Sequence, residues 1–342
     1  MATTRISYSL PPNIDATKAP LAFGSRALPK LNRELCDENL VTRQRALMSL
    51  CDLVHDPEKV YEAIRVGCID SLKKLLTDAD STVRHKATEV LYIVATHNIG
   101  RNAFLDFKVI LPVSNLFDDD VEIVRKNAHQ AIKMVSEIPS GALGIVDGKL
   151  IPCLVEKLKQ ELDEIKHFIL DTLHFCMRVD AESALNSGIM PVLKALLGHD
   201  SPQVRSAAAR DLMDVSVPFS GKEAACDDVE IVPLLVRLLS DPDYDVKANA
   251  AGALMTIAIT TKGKYAALKA NAIPSLLRLV NATTTETRLY AIKALTMLSE
   301  APEGRKTLER FVDDVKECER DPQSLAVSRA AQIALKVITW KP

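Results

Sequence analysis

A repeat of about 41 residues running along nearly the whole chain is the feature that most limits what this sequence can fold into. A basic residue recurs at Arg43, Arg84, Arg125, Lys166, Arg205, Lys247 and Arg288, with successive spacings of 41, 41, 41, 39, 42 and 41. Three residues after each lies Ala46, Ala87, Ala128, Ile169, Ala208, Ala250 or Ala291. Seven residues after each lies Leu50, Leu91, Ile132, Leu173, Leu212, Leu254 or Leu295. Offsets of three and seven share one face of a helix with 3.6 residues per turn. The small residue lets a neighbouring helix approach, and the large aliphatic one fills the space beside it. An eighth, degenerate copy carries Ser328, Ala331 and Leu335.

A second motif keeps the same phase. Short helices are expected to start at Leu28-Pro29, Leu111-Pro112, Ile151-Pro152, Met190-Pro191, Val232-Pro233 and Ile273-Pro274, because proline is tolerated in a first helical turn, where its missing N–H costs nothing. Gly67, Gly148 and Gly188 lie just upstream, where the chain must turn sharply. Polar breaks such as Thr77–Ser81, His199–Pro202 and Ser240–Asp243 offer Asp and Ser as caps for the long helix that follows. Each unit thus reads as a short helix, a proline-started helix and a long helix. No such unit can bury its apolar faces alone, but stacked neighbours share a core. The expected fold is all-α, a right-handed α-solenoid of about seven full repeats and a C-terminal cap. Residues 1–25, with Pro11-Pro12 and Pro20, read as an extended arm, 26–312 as the repeat array and 313–342 as the capping repeat. The fourth copy departs from the pattern: its charged stretch Glu156–Lys166 lacks a clear turn, so its last two helices are expected to be longer or fused.

Charge and composition narrow the functional classes. With 43 Lys plus Arg against 45 Asp plus Glu, the net charge of −2 gives no basic surplus with which to neutralise phosphates, and nucleic acid is not an expected partner. The longest charge-free stretch, between Lys247 and Lys262, is 14 residues, too short for the roughly 20 apolar residues of a membrane span. The first 20 residues contain no apolar core of a signal peptide, so the expected setting is soluble and intracellular. Seven cysteines at irregular spacings, without a C-x-x-C pair, read as reduced thiols buried in helices. The 12 glycines form no phosphate-binding loop: Gly144–Leu150 is one residue short of a P-loop and ends in Leu. No nucleophile elbow or zinc-protease motif occurs, no catalytic constellation emerges, and no cofactor is expected. His167 and His174, seven apart on one helix near Cys176 and within reach of Cys153, could approach a metal, but they read better as partly buried or surface histidines, and no metal is expected.

In a solenoid the stacked long helices line the concave face, which is the default binding surface. Positions five and nine after each basic residue should point into it: Met48 and Asp52, Glu89 and Ile93, Gln130 and Met134, Asp171 and Phe175, Arg210 and Asp214, Thr256, Lys293 and Met297. Position 252, the remaining one, is Gly.

The period and the proline-started second helices resemble armadillo repeats, overlapping with HEAT repeats. Nuclear-import adaptors of that class carry a Trp and Asn ladder at the groove positions, and this chain has neither residue at any of them. Several segments are more specific. Arg26–Leu31, Thr42–Glu58, Asn249–Ala270 and Lys293–Leu308 resemble the armadillo-repeat radial spoke proteins of motile cilia and flagella, a likeness extending over essentially the whole chain. The resemblance implies a non-enzymatic component of the axoneme, within the cytoskeleton, that docks other radial spoke subunits through its groove and edges. The alternative reading is a soluble armadillo adaptor that binds peptide segments in transport or signalling.

Overall fold

In the computed structural model the described residues are 27–321 and 324–341, and among them there are helices, short 3-10 turns and loops but no strand. The arm expected over residues 1–25 lies outside the described residues. The backbone divides into two compact units, residues 1–141 and 142–342.

The first unit holds one copy with two helices, α1 (Ala27–Glu34) and α2 (Leu40–Leu53), and two copies with three. These are α3 (Pro57–Arg65), α4 (Cys68–Leu75) and α5 (Ser81–Thr96), then α6 (Asn98–Asp106), α7 (Ile110–Ser114, extended by a 3-10 turn to Asp118) and α8 (Glu122–Ser136). The long helices stack in order, α2 on α5 and α5 on α8. At their seams Ala46, Ala87, Ala128, Leu50, Leu91 and Ile132 are completely buried, as the three-and-seven pattern requires. Leu28, Leu72 and Val113 from the second helices close the same core. In sequence, α9 (Pro139–Asp147) straddles the boundary between the units.

The second unit continues the triplets. Its helices are α10 (Ile151–Gln160), α11 (Asp163–Met177), α12 (Ala181–Asn186), α13 (Ile189–Leu196), α14 (Pro202–Val215), α15 (Phe219–Asp227), α16 (Ile231–Leu238) and α17 (Tyr244–Ile257). They are followed by α18 (Thr261–Lys269), α19 (Ala272–Leu279), α20 (Thr285–Ser299), α21 (Pro302–Leu308), α22 (Val312–Glu317) and α23 (Leu325–Ile338). Again the long helices stack in sequence: α11, α14, α17, α20 and α23. Ile169, Leu173, Ala208, Leu212, Ala250, Leu254, Ala291 and Leu295 are buried between them. In the degenerate last copy Ala331 is buried but Leu335 is only half-buried. The fourth copy is not fused. α10 and α11 are separated at Glu161 and Leu162, both extended, with Asp163 and Glu164 opening α11 where the helix dipole favours acidic side chains. The dense charge hid this break, since Glu156, Lys159 and Gln160 pair with one another across the last turn of α10 rather than marking a turn.

Local chemistry explains the connections. Asn39, Asp56, Asp80, Asp180, Asp243, Thr260 and Ser324 each accept a backbone N–H of the helix they precede. The turn between first and second helices passes through the left-handed region at Gly67, Lys108, Lys149, Gly188 and Asn271. In the fourth copy the left-handed residue is therefore Lys149 and not Gly148, one position later than the glycine pattern suggested. A second glycine role was not anticipated. Gly100, Gly141, Gly221, Gly263 and Gly304 sit one turn into first helices, where a Cβ would stand 1.8–2.1 Å from a carbonyl oxygen at the end of the preceding long helix. Only a residue without a side chain permits so tight a corner.

The basic residue that sets the period has a structural task at five of its seven positions: Arg125 donates through NH1 to the Asp119 carbonyl six residues earlier, and the other four make a fuller set of contacts. It lies on the first turn of a long helix, and in those four its NH1 donates to two carbonyls five and six residues earlier: Arg43 to Glu38 and Asp37, Arg84 to Ala79 and Asp78, Arg205 to Asp200 and His199, Arg288 to Thr283 and Ala282. The rest of the guanidinium reaches an aspartate in the corresponding turn of the next copy. Nε meets Asp78 at 3.0 Å from Arg43, Asp119 at 2.6 Å from Arg84 and Asp241 at 2.9 Å from Arg205; from Arg288, NH2 meets Asp321 at 3.0 Å. Each aspartate also accepts a backbone N–H in its own turn, from Asp80, Val121, Asp243 and Ser324 respectively. One planar fork thus fastens a turn to itself and to its neighbour, which a lysine cannot do. Where Lys replaces Arg, Lys166 pairs locally with Asp163, and Lys247 lies over the Tyr244 ring.

Candidate functional site

The candidate surface is the side of the stacked long helices that no second helix covers, and the two units present it separately. In the first unit Met48 and Asp52 on α2 are exposed, and Glu89 on α5 is half-buried, drawn to Lys86 at 2.6 Å. Gln130 and Met134 on α8 are half-buried as well. Ile93 does not reach the open side. At 6% exposure it is packed into the core around α5.

In the second unit Lys293 on α20 is exposed, and Met297 and Phe175 are half-buried. Thr256, at 6% exposure, is turned inward, its hydroxyl donating to the Gly252 carbonyl at 3.1 Å. The close packing around Gly252, where a Cβ would meet Met213 Sδ at 2.8 Å and the Tyr290 ring at 3.3 Å, leaves no opening at this level. Ile93 and Thr256 are thus corrections to the expected surface: both side chains are buried, and at Thr256 the close packing of α14 and α20 on Gly252 closes the position.

The remaining predicted residues, Asp171, Arg210 and Asp214, belong to a polar cluster between α11 and α14. Arg210 donates through NH1 to Asp171 at 2.9 Å and through Nε and NH2 to Asp211 Oδ1 at 3.1 and 3.0 Å. His174 Nδ1 lies 2.6 Å from Asp214 Oδ2, and the Phe175 ring meets the imidazole edge-on at 4.8 Å. Asp214 is 8% exposed and Asp211 not at all. Burial pushes the Asp211 carboxyl well above the usual 3.8; Arg210 pulls it down, and neighbouring Asp214 and Asp171 push it further up. Beside them a cleft of about 450 Å³ is lined by Met177–Glu182, Asp214, Val217 and Pro218.

His174 and Asp211 were missing from the expected surface, although His174 had been singled out with His167 and Cys176. Those three have different surroundings. His167 tilts against Phe168, and Cys176 is buried, its thiol pushed up to about 12 by desolvation and by Asp211. What His174 meets is 37 and 40 residues away, about one repeat on, at Asp211 and Asp214. Another histidine, His129, is 1% exposed and stacked on Phe117 at 3.8 Å, a core role. None of the seven cysteines forms a disulfide among the described residues; Cys36 is exposed, Cys153 half-buried and the other five buried. No helix among the described residues is long and apolar enough to cross a membrane.

A family profile described as Adaptin N terminal region matches residues 27–342, and so covers every described helix. Radial spoke protein 14 of Chlamydomonas reinhardtii is 25% identical over 150 residues, which is 43% of this chain and 39% of that protein, so well under half of the relative's length is matched. Among solved structures, the crystal structure of an engineered protein superposes with a TM-score of 0.85 at 24% identity, over 92% of this chain and 79% of that one. Computationally designed armadillo repeat proteins for modular peptide recognition superpose with a TM-score of 0.63 at 22% identity, over 67% of this chain and 99% of theirs. At these identities the structural likenesses show the fold, an α-solenoid of armadillo type.

Proposed function

The chain belongs to the Adaptin N terminal region family, and from that premise we propose that it is a non-enzymatic scaffold subunit of the axonemal radial spoke, docking other spoke proteins and so supporting the motility of cilia and flagella. The observation that carries the axonemal assignment is the likeness to radial spoke protein 14. The scaffold role is supported by the open side of the long helices. There Met48, Asp52, Gln130 and Met134 in the first unit, and separately Phe175, Lys293 and Met297 in the second, each present a mixed apolar and charged surface. Such a surface suits protein partners of particular shape rather than one repeated charge. A paired Arg–Asp fork between successive turns keeps it rigid, which limits the ordering cost of docking. The test is fractionation of motile cells that express the tagged chain. Retention in demembranated axonemes, together with spoke subunits, is expected; complete release with detergent would overturn the assignment.

A second reading, a soluble adaptor for peptide segments, is favoured by one observation, the superposition on armadillo repeat proteins designed for modular peptide recognition. The absence of a Trp and Asn ladder at the surface positions weighs against it. A peptide-array screen with Lys293→Glu as control separates the two, since an adaptor would retain short linear peptides and lose them in the variant.

A further inference from the structure

We propose that His174, Asp211 and Asp214 form a binding site for one divalent first-row transition-metal cation between α11 and α14. One ligand atom from each of the three lies within 4.8 Å of the others. The donor set, an imidazole and two carboxylates, suits cations of the zinc, cobalt and manganese type rather than thiolate-seeking ones. Two independent features set this cluster apart from a solvated acidic patch. The first is Asp211 Oδ2, which is fully buried and has no hydrogen-bond partner, although Oδ1 of the same carboxylate takes both donors of the Arg210 fork. A buried carboxylate oxygen left without a donor is costly, and a cation is the simplest group to satisfy it. The second is charge. Asp171 and Asp211 pair with a single guanidinium, Arg210, and Asp214 with His174, which leaves the cluster a formal surplus of two negative charges while His174 is neutral. One divalent cation removes that surplus.

The surroundings are those of a held site. Arg210 fixes the Asp211 carboxylate and is itself fixed by Asp171, and Phe175 sets the plane of the His174 ring. Asp214 lines the adjoining cleft, and the His174 side chain keeps 19% exposure, which gives an entry path. At metal–ligand bonds of about 2.1 Å, neighbouring ligand atoms stand roughly 3 Å apart. The 2.6 Å separation of His174 Nδ1 and Asp214 Oδ2 must therefore open by roughly 0.4–0.8 Å, and the wider separations, up to 4.8 Å, must close. As the cation enters, the proton now held between His174 Nδ1 and Asp214 Oδ2 shifts to His174 Nε2, so that the neutral imidazole offers Nδ1, and any proton on Asp211 leaves for solvent.

The test is titration of the purified full-length protein with Co2+, read by visible absorption and by calorimetry, with competition by Zn2+. One Co2+ per chain is expected, with ligand-field bands, no sulfur charge-transfer band, and displacement by Zn2+. His174→Gln and Asp211→Asn should each weaken binding at least tenfold, whereas His199→Gln, on a separate turn, should change it less than threefold. Circular dichroism and metal-free melting establish that each variant is folded. Should Asp211→Asn not fold, His174→Gln decides alone, because that side chain is partly exposed. Absence of binding at millimolar Co2+, equal affinity in His174→Gln, or a sulfur charge-transfer band from the cysteines would each overturn the proposal and leave a network held by protons alone.

Discussion

Replacement of Arg84 by alanine is the sharpest test of how the copies are joined. Its guanidinium makes four contacts: Nε and NH2 to the two Asp119 oxygens at 2.6 and 3.2 Å, and NH1 to the carbonyls of Asp78 and Ala79 at 3.0 and 3.3 Å. The Arg84 side chain is 18% exposed and that of Asp119 4%, so the pair lies between the surface and fully buried cases. Exposed pairs contribute about 0–1 kcal/mol, whereas breaking a buried one costs about 3–5 kcal/mol. Asp119 keeps the Val121 N–H and the nearby Arg125 after the substitution, which softens the loss. The expected cost of Arg84→Ala is about 1–3 kcal/mol, with Arg84→Lys recovering less than half because it keeps the charge and loses the fork. Urea unfolding followed by circular dichroism gives the stability, and a cycle with Asp119→Asn isolates the pair. Because solenoids open copy by copy, hydrogen exchange over residues 78–121 supplies the local reading, with faster exchange expected there than in α14. A coupling below about 0.3 kcal/mol, with unchanged exchange, would refute the idea that this fork joins successive copies.

Three further outcomes are expected. Gly263→Ala forces a Cβ to within 2.1 Å of the Ile257 carbonyl oxygen and should cost about 1–3 kcal/mol, whereas Lys149→Gly relieves a left-handed residue and should stabilise by about 0.5–1 kcal/mol; thermal melts with the opposite signs would contradict the corner geometry. Titration should act in two directions. Burial would raise the Asp119 and Asp241 carboxyls, but hydrogen bonds from Arg84 and Arg205 and from their own turns outweigh it and hold both below 3.8, so their stabilisation is present above that pH and lost as pH falls through the lowered values. Asp211, raised by burial, works oppositely: its contribution is complete below 3.8 and lost as pH rises through the raised value, with Arg210 opposing and Asp214 and Asp171 reinforcing the shift. Metal-free Asp211→Asn should therefore lose less stability than the parent as pH rises above about 4, and equal slopes in pH-dependent melts would count against a buried carboxyl there. Finally, Cys36 should react first with a maleimide and Cys153 more slowly, while Cys51, Cys68 and Cys176, pushed up to about 12 by burial, should react only on unfolding; mass spectrometry of the labelled peptides decides this.

The fold was legible because its signal is local. Small and large residues three and seven positions after Arg43, Arg84 or Arg205 report one helix face, and their burial needs only the next copy of the same face. What the repeated arginine does was not legible, because Asp78, Asp119 and Asp241 lie 35 or 36 residues on, short of a full period, and the match appears only once adjacent turns are side by side. The corner glycines were overlooked for a related reason: their cause is a carbonyl at the end of the preceding helix, not a turn of their own. At the surface, phase counting chose Met48, Asp52 and Lys293, which are exposed, but also Ile93 and Thr256, which are buried, the latter where α14 and α20 close on Gly252. Packing of α11 on α14 brings His174, eight residues after Lys166, against Asp211, six after Arg205. Neither offset belongs to the open side of an isolated helix, so only packing joins them.

The central claim, that this chain docks spoke proteins through its long helices, is tested most directly by cross-linking mass spectrometry on demembranated axonemes. Lys293, exposed on α20, should form links to radial spoke subunits more often than Lys59, Lys262 and Lys306 on the first helices α3, α18 and α21. Links to spoke subunits that leave only from those first helices, with Lys293 freely labelled by a soluble amine reagent, would contradict it.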